Sequence, residues 1–247
     1  MNAKILFIDI ETAPATSHHW GMYDQNIAPN QLVHDWYLIC YVAKWLGKKK
    51  CTSDALWRHK RFKREPRNDI EVARSAHRLL DDANIVVAHN GDDFDVKRLN
   101  TRFLAHKLGP TAPFLTVDTK KVAKKYFGFL SNKLDFILRT MSMGSKMSHC
   151  GFSMWIGAMA GNPRACREML KYNRVDTLKL EEVYLLMRPY MKDHPDLNIY
   201  DGDFSRMLCP NCGSMRTQRR GKCYTKLKAY PRRACIDCGA WFKAKDN

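Results

Sequence analysis

The chain has 247 residues, 45% of them apolar, which suits one full-size domain with a packed core plus a small appendage and excludes a wholly disordered chain. A net charge of +17 points to a polyanionic partner, nucleic acid before an acidic membrane surface, although charge alone fits a merely soluble basic protein almost as well. No apolar run reaches the ~18 residues needed to span a bilayer, and the first apolar run is interrupted by Asp9 and lacks the long centre of a signal peptide; the expectation is therefore a cytoplasmic protein of a bacterial or phage-infected cell, without a membrane partner, whose nine cysteines are metal ligands before they are disulfides.

Residues 4–11 read as a buried strand, short and β-rich and bounded by Pro14. Residues 38–46 form a second strand and 51–57 a third, followed by a basic loop over 58–67. Apolar spacing predicts a helix over 69–82 with Asn68 as its N-cap. A strand at 85–88 ends at His89-Asn90-Gly91, and a helix is expected from about 92 to 106. A strand at 115–117, helices over 120–127 and 133–141, and a long helix over 163–187 beginning at Pro163 complete the pattern. Strands followed by alternating strands and helices predict an α/β sheet flanked by helices over residues 1–191. Residues 192–205 turn polar and Asp-rich and read as a linker to a module at 206–247, which holds eleven Lys/Arg against two Asp.

Three acidic segments stand out. Asp9 and Glu11 share one face of a strand while their neighbours Ile8 and Ile10 are apolar. Two acids beside a core repel each other unless a cation neutralises them, and a hard divalent ion held by carboxylate oxygens does so; the pair reads equally as a strand end where both acids reach water. Asp95 opens a helix after a strand and a glycine turn, where Asp92 and Asp93 fit simple caps. Tyr172 and Asp176 stand one helical turn apart on one side of the long helix, a pattern that is weak by itself.

Taken together and in order, Asp9-Ile-Glu11-Thr12, Asn90-Gly-Asp-Asp-Phe94-Asp95 and Tyr172-Asn-Arg-Val-Asp176 resemble the motifs of the DEDD exonucleases of the ribonuclease-H-like superfamily, in the tyrosine subgroup that includes polymerase proofreading domains. Ser131-Asn-Lys-Leu-Asp135 resembles a segment between the second and third motifs more weakly. The other subgroup has a histidine five residues before the last Asp, where this chain has Lys171. The resemblance implies a ribonuclease-H-like mixed sheet and 3′–5′ exonuclease activity on nucleic acid, DNA favoured, single-stranded 3′ ends included. It implies two Mg²⁺ or Mn²⁺ ions held by Asp9, Glu11, Asp95 and Asp176, with Tyr172 orienting the attacking water. Phenols titrate near ~10, so positioning suits this residue better than general-base work. Asn90, just after the strand, is a candidate substrate contact or the closure of a turn; Phe94 reads as a core anchor, His89 as a turn residue, and His18, His19 and Trp20 as loop surface.

Cys209-Pro-Asn-Cys212-Gly and Cys235-Ile-Asp-Cys238-Gly are two Cys-x-x-Cys turns separated by 22 residues. Each turn aims two sulfurs at one ion, and four thiolates make a closed tetrahedral site for one structural Zn²⁺, so the tail resembles a zinc ribbon. A tail this small has too little core to fold without the metal. Between the pairs, Arg219, Arg220, Tyr224, Arg232 and Arg233 are candidate nucleic-acid contacts, cations for phosphates and an aromatic face for bases. Cys223 reads as a spare thiol; Cys40, Cys51, Cys150 and Cys166 read as small core residues. Met141, Met143, Met147, Met154 and Met159, with Trp155, read as adaptable core or a mobile flap. Two other readings remain: a structure-specific or RNA-processing nuclease on the same fold, and a non-catalytic zinc-ribbon adapter for nucleic acid or replication proteins.

Overall fold

A computed structural model describes residues 3–145, 151–200 and 207–244; Met147, Cys150 and the 201–205 stretch of the expected linker lie outside the described residues. The elements are β1 (Ile5–Thr12), β2 (Thr16–Ser17), β3 (Leu32–His34), β4 (Leu38–Trp45), β5 (Thr52–Ala55), α1 (Ile70–Asp81), β6 (Ile85–Ala88), α2 (Asp95–Ala105), β7 (Leu115–Asp118), α3 (Thr119–Tyr126), α4 (Leu134–Thr140), α5 (Phe152–Met159), α6 (Pro163–Met187), β8 (Thr217–Tyr224), β9 (Ala229–Cys235) and β10 (Trp241–Lys243). No helix among the described residues is long and apolar enough to cross a membrane.

The main sheet has the order β5-β4-β1-β6-β7. Strand β1 is its centre, antiparallel to β4 and parallel to β6, and β7 continues the parallel side. Such a mixed sheet needs apolar residues on both faces of its central strand, and residues 5–8 are all buried. Leu6, Ile8 and Ile10 face one core with α1, α2 and the first turns of α6; Ile5 and Phe7 face the other with α3, α4 and the last turns of α6. Helix α6 therefore reaches both cores.

The short pair β2–β3 and helix α5 were not legible in the sequence. Helix α5 is apolar on nearly every side, so it shows no 3.6-residue alternation. It packs tightly on α6: a Cβ at Gly157 would lie 2.7 Å from that of Ala165. Helix α2 begins at Asp95, later than the expected 92. Asn68 accepts the Ile70 amide at 3.2 Å, while Asp69 is spent elsewhere. Its wholly buried carboxylate takes Arg102 in two bonds of 2.7 and 2.6 Å, His106 at 2.5 Å and the Leu38 amide at 2.7 Å. This buried ion pair ties α1 and α2 to the start of β4.

Candidate active site and metal centre

Strand β1 outruns its parallel neighbour. The β1–β6 pairing ends at Phe7↔Val87, whereas the β1–β4 pairing continues through Glu11↔Cys40. Beyond Phe7 the β6 side of β1 is covered by the start of α2: Asp95 Oδ1 accepts the Ile10 amide at 3.2 Å. Ile10 lies between Asp9 and Glu11, so this bond brings the second motif to the first. The third motif arrives from α6, which packs over β1 and β4. The Thr177 hydroxyl donates to the Val42 carbonyl at 3.3 Å, and Val42 is the cross-strand partner of Asp9. Asp176, the residue before Thr177, is 2% exposed and Asp95 is 3% exposed; Asp9 and Glu11 are half-buried.

The charge of the first motif is felt by its neighbour: burial drives the Cys40 thiol well above its usual range, and Glu11 and Asp9 push it further. Carboxylate oxygens are the ligands a hard divalent cation of the Mg²⁺ type prefers, and two of these four carboxyl groups, those of Asp95 and Asp176, are buried. Tyr172 is half-buried against the first core, with the Trp155 ring edge-on to it at a centroid distance of 6.4 Å. Trp155, which the sequence places in adaptable core or a mobile flap, is thus a neighbour of the third motif. Asn173, wholly buried one turn before Thr177, has no hydrogen-bond partner for either amide atom among the described residues; an orphaned amide costs about 1–3 kcal/mol, and no local pattern marks it.

Asp118, also missed, organises the turn that carries the second motif. Its carboxylate accepts the amides of Asn90 and Lys120 at 2.9 Å, of Lys121 at 3.3 Å and of Asp92 at 3.4 Å. A strand ending in Asp before Thr-Lys-Lys was a readable N-cap signal. Asn90 adopts a φ of 71°, and its side-chain oxygen accepts Lys120 Nζ at 3.1 Å. His89 clamps two segments, with Nδ1 at 2.9 Å from the Thr119 hydroxyl and Nε2 at 3.0 Å from the Asn132 carbonyl, which brings the Ser131–Asp135 stretch beside the second motif. Phe94 packs on the first core beneath the Arg98 guanidinium, 4.6 Å from its ring centre. His18, His19 and Trp20 are exposed.

In the C-terminal part, the Sγ atoms of Cys209, Cys212, Cys235 and Cys238 all lie within 4.8 Å of one another, with Cys209–Cys238 at 3.7 Å and Cys212–Cys235 at 3.6 Å. Four sulfurs ~2.3 Å from one zinc ion would stand about 3.8 Å apart, so the quartet fits a tetrahedral zinc. The hydrogen bond from Cys209 holds the Cys212 thiol well below its usual range, which favours the thiolate form that ligates zinc. Three strands, ordered β10-β9-β8, complete the ribbon. Pro231 sits opposite the irregularity between Arg219 and Lys222, one of the few places a strand tolerates proline.

The candidate contacts of this module divide by side-chain role. Arg233 is tied to Thr217 by two 2.9 Å bonds, and Arg220 reaches Gln218 at 2.8 Å. Arg232 bonds the Arg220 carbonyl at 2.9 Å while lying 4.8 Å over Trp241. Arg219 and Tyr224 are exposed. Trp241 and Lys243, which sequence reasoning left out, share the Arg232 face with Tyr230, the second aromatic interleaved among the cations, and Lys243 lies 5.1 Å over its ring. Cys223 is half-buried with its thiol toward the Tyr230 carbonyl, Cys40 and Cys166 are buried, and Cys51 is half-buried at the start of β5.

Residues 192–200 lie against both parts. Asn211 donates to the carbonyls of Arg188 and Met191 at 2.8 and 3.0 Å, and the Leu197 amide donates to Pro210 at 2.8 Å.

A mixed five-stranded sheet with acidic residues at the end of its central strand defines a class, that of ribonuclease-H-like proteins. The family model described as RNase_H superfamily matches residues 6–188, and the chain belongs to that superfamily. The membership implies a nucleic-acid substrate and is consistent with a metal-dependent nuclease. No curated protein matches the chain.

Proposed function

We propose that the chain is a 3′–5′ exonuclease that removes nucleotides from nucleic acid, DNA before RNA, with its C-terminal zinc ribbon as an additional contact. The observation that supports this reading is the meeting of three motif-bearing elements at the end of β1: Asp95 bonded to the Ile10 amide, and α6 bonded through Thr177 to the strand opposite Asp9. Asp9, Glu11, Asp95 and Asp176 would hold two Mg²⁺ or Mn²⁺ ions, which when bound activate a water and neutralise charge on the leaving 3′ oxygen. By accepting the Ile10 amide, Asp95 fixes the strand that carries the first two carboxylates. Tyr172, braced by Trp155, directs its hydroxyl at the attacking water and holds it in line with the phosphate. The cysteine quartet holds a structural zinc and leaves no ligand position open.

The test is hydrolysis of 5′-labelled single-stranded DNA with Mg²⁺ or Mn²⁺, beside a closed circle of the same composition. The expected result is a ladder shortening one nucleotide at a time from the 3′ end, with the circle intact. Cutting of the circle favours the endonuclease reading on the same fold, and no hydrolysis of any DNA or RNA under these conditions overturns the enzymatic one.

A further inference from the structure

The first three turns of α6 expose Arg164, Arg167, Lys171 and Arg174. At 3.6 residues per turn these four fall within an arc of roughly 80°, so they form one ridge about 15 Å long. The ridge is unfavourable to the helix on two counts. Cations three and four residues apart repel by about 0.2–0.5 kcal/mol per pair, and the N-terminal half of a helix is the positive end of its dipole; the first turn contains no acidic residue. Farther along the same helix charges are paired, Glu181 with Lys44 and Glu182 with Lys179. Among the described residues no ion pair involves the ridge cations, and Glu168 stands on the flank toward Tyr172.

The ridge does not end at the helix. Gly161, just before α6, has a φ of 75°, and a Cβ there would lie 2.9 Å from Phe62 Cε1. Phe62 belongs to the helical turn Lys60–Lys63, so the basic turn rests on the entrance to α6. Lys60, Lys63 and Arg64 of that turn are exposed, and with Arg61 and Glu65 they surround a hollow of about 570 Å³. Arg61 is occupied by Glu65 at 3.2 Å; its three neighbours make no ion pair among the described residues. Two groups of cations with no structural use therefore adjoin.

We propose that this band, from Lys60, Lys63 and Arg64 to Arg164, Arg167, Lys171 and Arg174, binds the phosphate backbone of the nucleic acid at a distance from the terminus being hydrolysed. The inference rests on the nuclease reading and adds a second point of contact to it. The ridge lies roughly 140° around α6 from Tyr172 and Asp176, so the nucleotide being cut does not touch it. Phosphates farther along the strand do, and each one neutralised releases condensed counterions. At ~3.4 Å per base-pair step, a ridge of this length spans about four steps.

The experiment compares the full chain with Arg164→Gln/Arg167→Gln/Lys171→Gln and with Lys60→Gln/Lys63→Gln/Arg64→Gln. Binding of a labelled 30-nucleotide strand, without divalent ions, is measured from 50 to 300 mM salt, and hydrolysis is followed on a trinucleotide and on the 30-mer. Each variant is expected to flatten the slope of log K against log salt by about 2 and to raise KM on the 30-mer while leaving trinucleotide hydrolysis unchanged. Arg164→Lys/Arg167→Lys keeps the slope. Gln is a good helix former, so the thermal midpoint of the α6 variant does not fall. Slopes parallel to the wild type in a chain that still cuts nucleic acid overturn the band and leave the enzymatic reading standing; a wild-type chain that neither binds nor cuts nucleic acid overturns both.

Discussion

His194 should make the stability of this protein depend on acid in a defined window. Its ring is buried between Tyr184 and the 195–197 segment, with Nδ1 at 2.8 Å from the Pro195 carbonyl and Nε2 at 2.8 Å from the Tyr184 hydroxyl. A carbonyl only accepts, so Nδ1 carries the proton and the neutral ring accepts from Tyr184 at Nε2. Burial lowers the His194 pKa from 6.5 to about 4 and raises that of Tyr184 to about 12. The unfolded chain binds the imidazole proton near 6.5 and the folded chain only near 4, so between these values the unfolded state holds more protons. The contribution is complete above pH 6.5 and is lost progressively as the pH falls to about 4. At about 1.4 kcal/mol per pH unit the loss amounts to about 3 kcal/mol. Urea unfolding of the wild type and of His194→Gln at pH 7.5, 6.5, 5.5 and 4.5, both with zinc, isolates the effect, because proton uptake by the cysteines is common to both chains. The difference in unfolding free energy should shift by about 2–3 kcal/mol in favour of the variant across that series. A difference that is the same at pH 7.5 and 4.5 refutes the reasoning.

Other perturbations follow from the same structure. Arg102→Met leaves the Asp69 carboxylate buried without its bidentate partner and should cost about 3–5 kcal/mol in urea unfolding; adding Asp69→Asn should recover part of that loss. Chelation of zinc at neutral pH should unfold β8–β10 and shift the emission of Trp241, with one zinc released per chain by metal analysis, while the circular dichroism of the α/β domain persists. Tyr172→Phe should leave the fold and substrate affinity unchanged and lower kcat by about 10²-fold, read from single-turnover hydrolysis.

Much of the fold was legible because its central elements obey simple periods. The Ile5–Ile8 run read as a buried strand, and Pro163 marked the entrance of α6, to which the structure adds the Asn162 side chain as cap of the Arg164 and Ala165 amides. Helix α5 escaped because its partners, not its polarity, define it. Strand β1 announced its two carboxylates by placing acids where apolar residues belonged, and four cysteines at fixed spacing announced their own cluster. Asp118 was readable as the N-cap of α3, but its second role depends on amides of the 90–92 turn, and Asp69 carried no local signal because its role depends on Arg102, 33 residues away. The cation face of the ribbon was only half visible, since Trp241 and Lys243 join Arg232 and Tyr230 through strand pairing that spacing does not reveal. Polar residues 192–200 looked like a linker because their composition resembles one, but His194 and Leu197 pack within the fold.

Asp9, Glu11, Asp95 and Asp176 should act as one cation site. Mn²⁺ binding, followed by the loss of its free-ion paramagnetic resonance signal, tests this directly in the zinc-loaded wild type and in Asp9→Asn and Asp176→Asn. Up to two Mn²⁺ ions should bind per wild-type chain and fewer in each variant, with nuclease activity lost in parallel. Equal Mn²⁺ binding by all three chains, or full activity in Asp9→Asn, contradicts it.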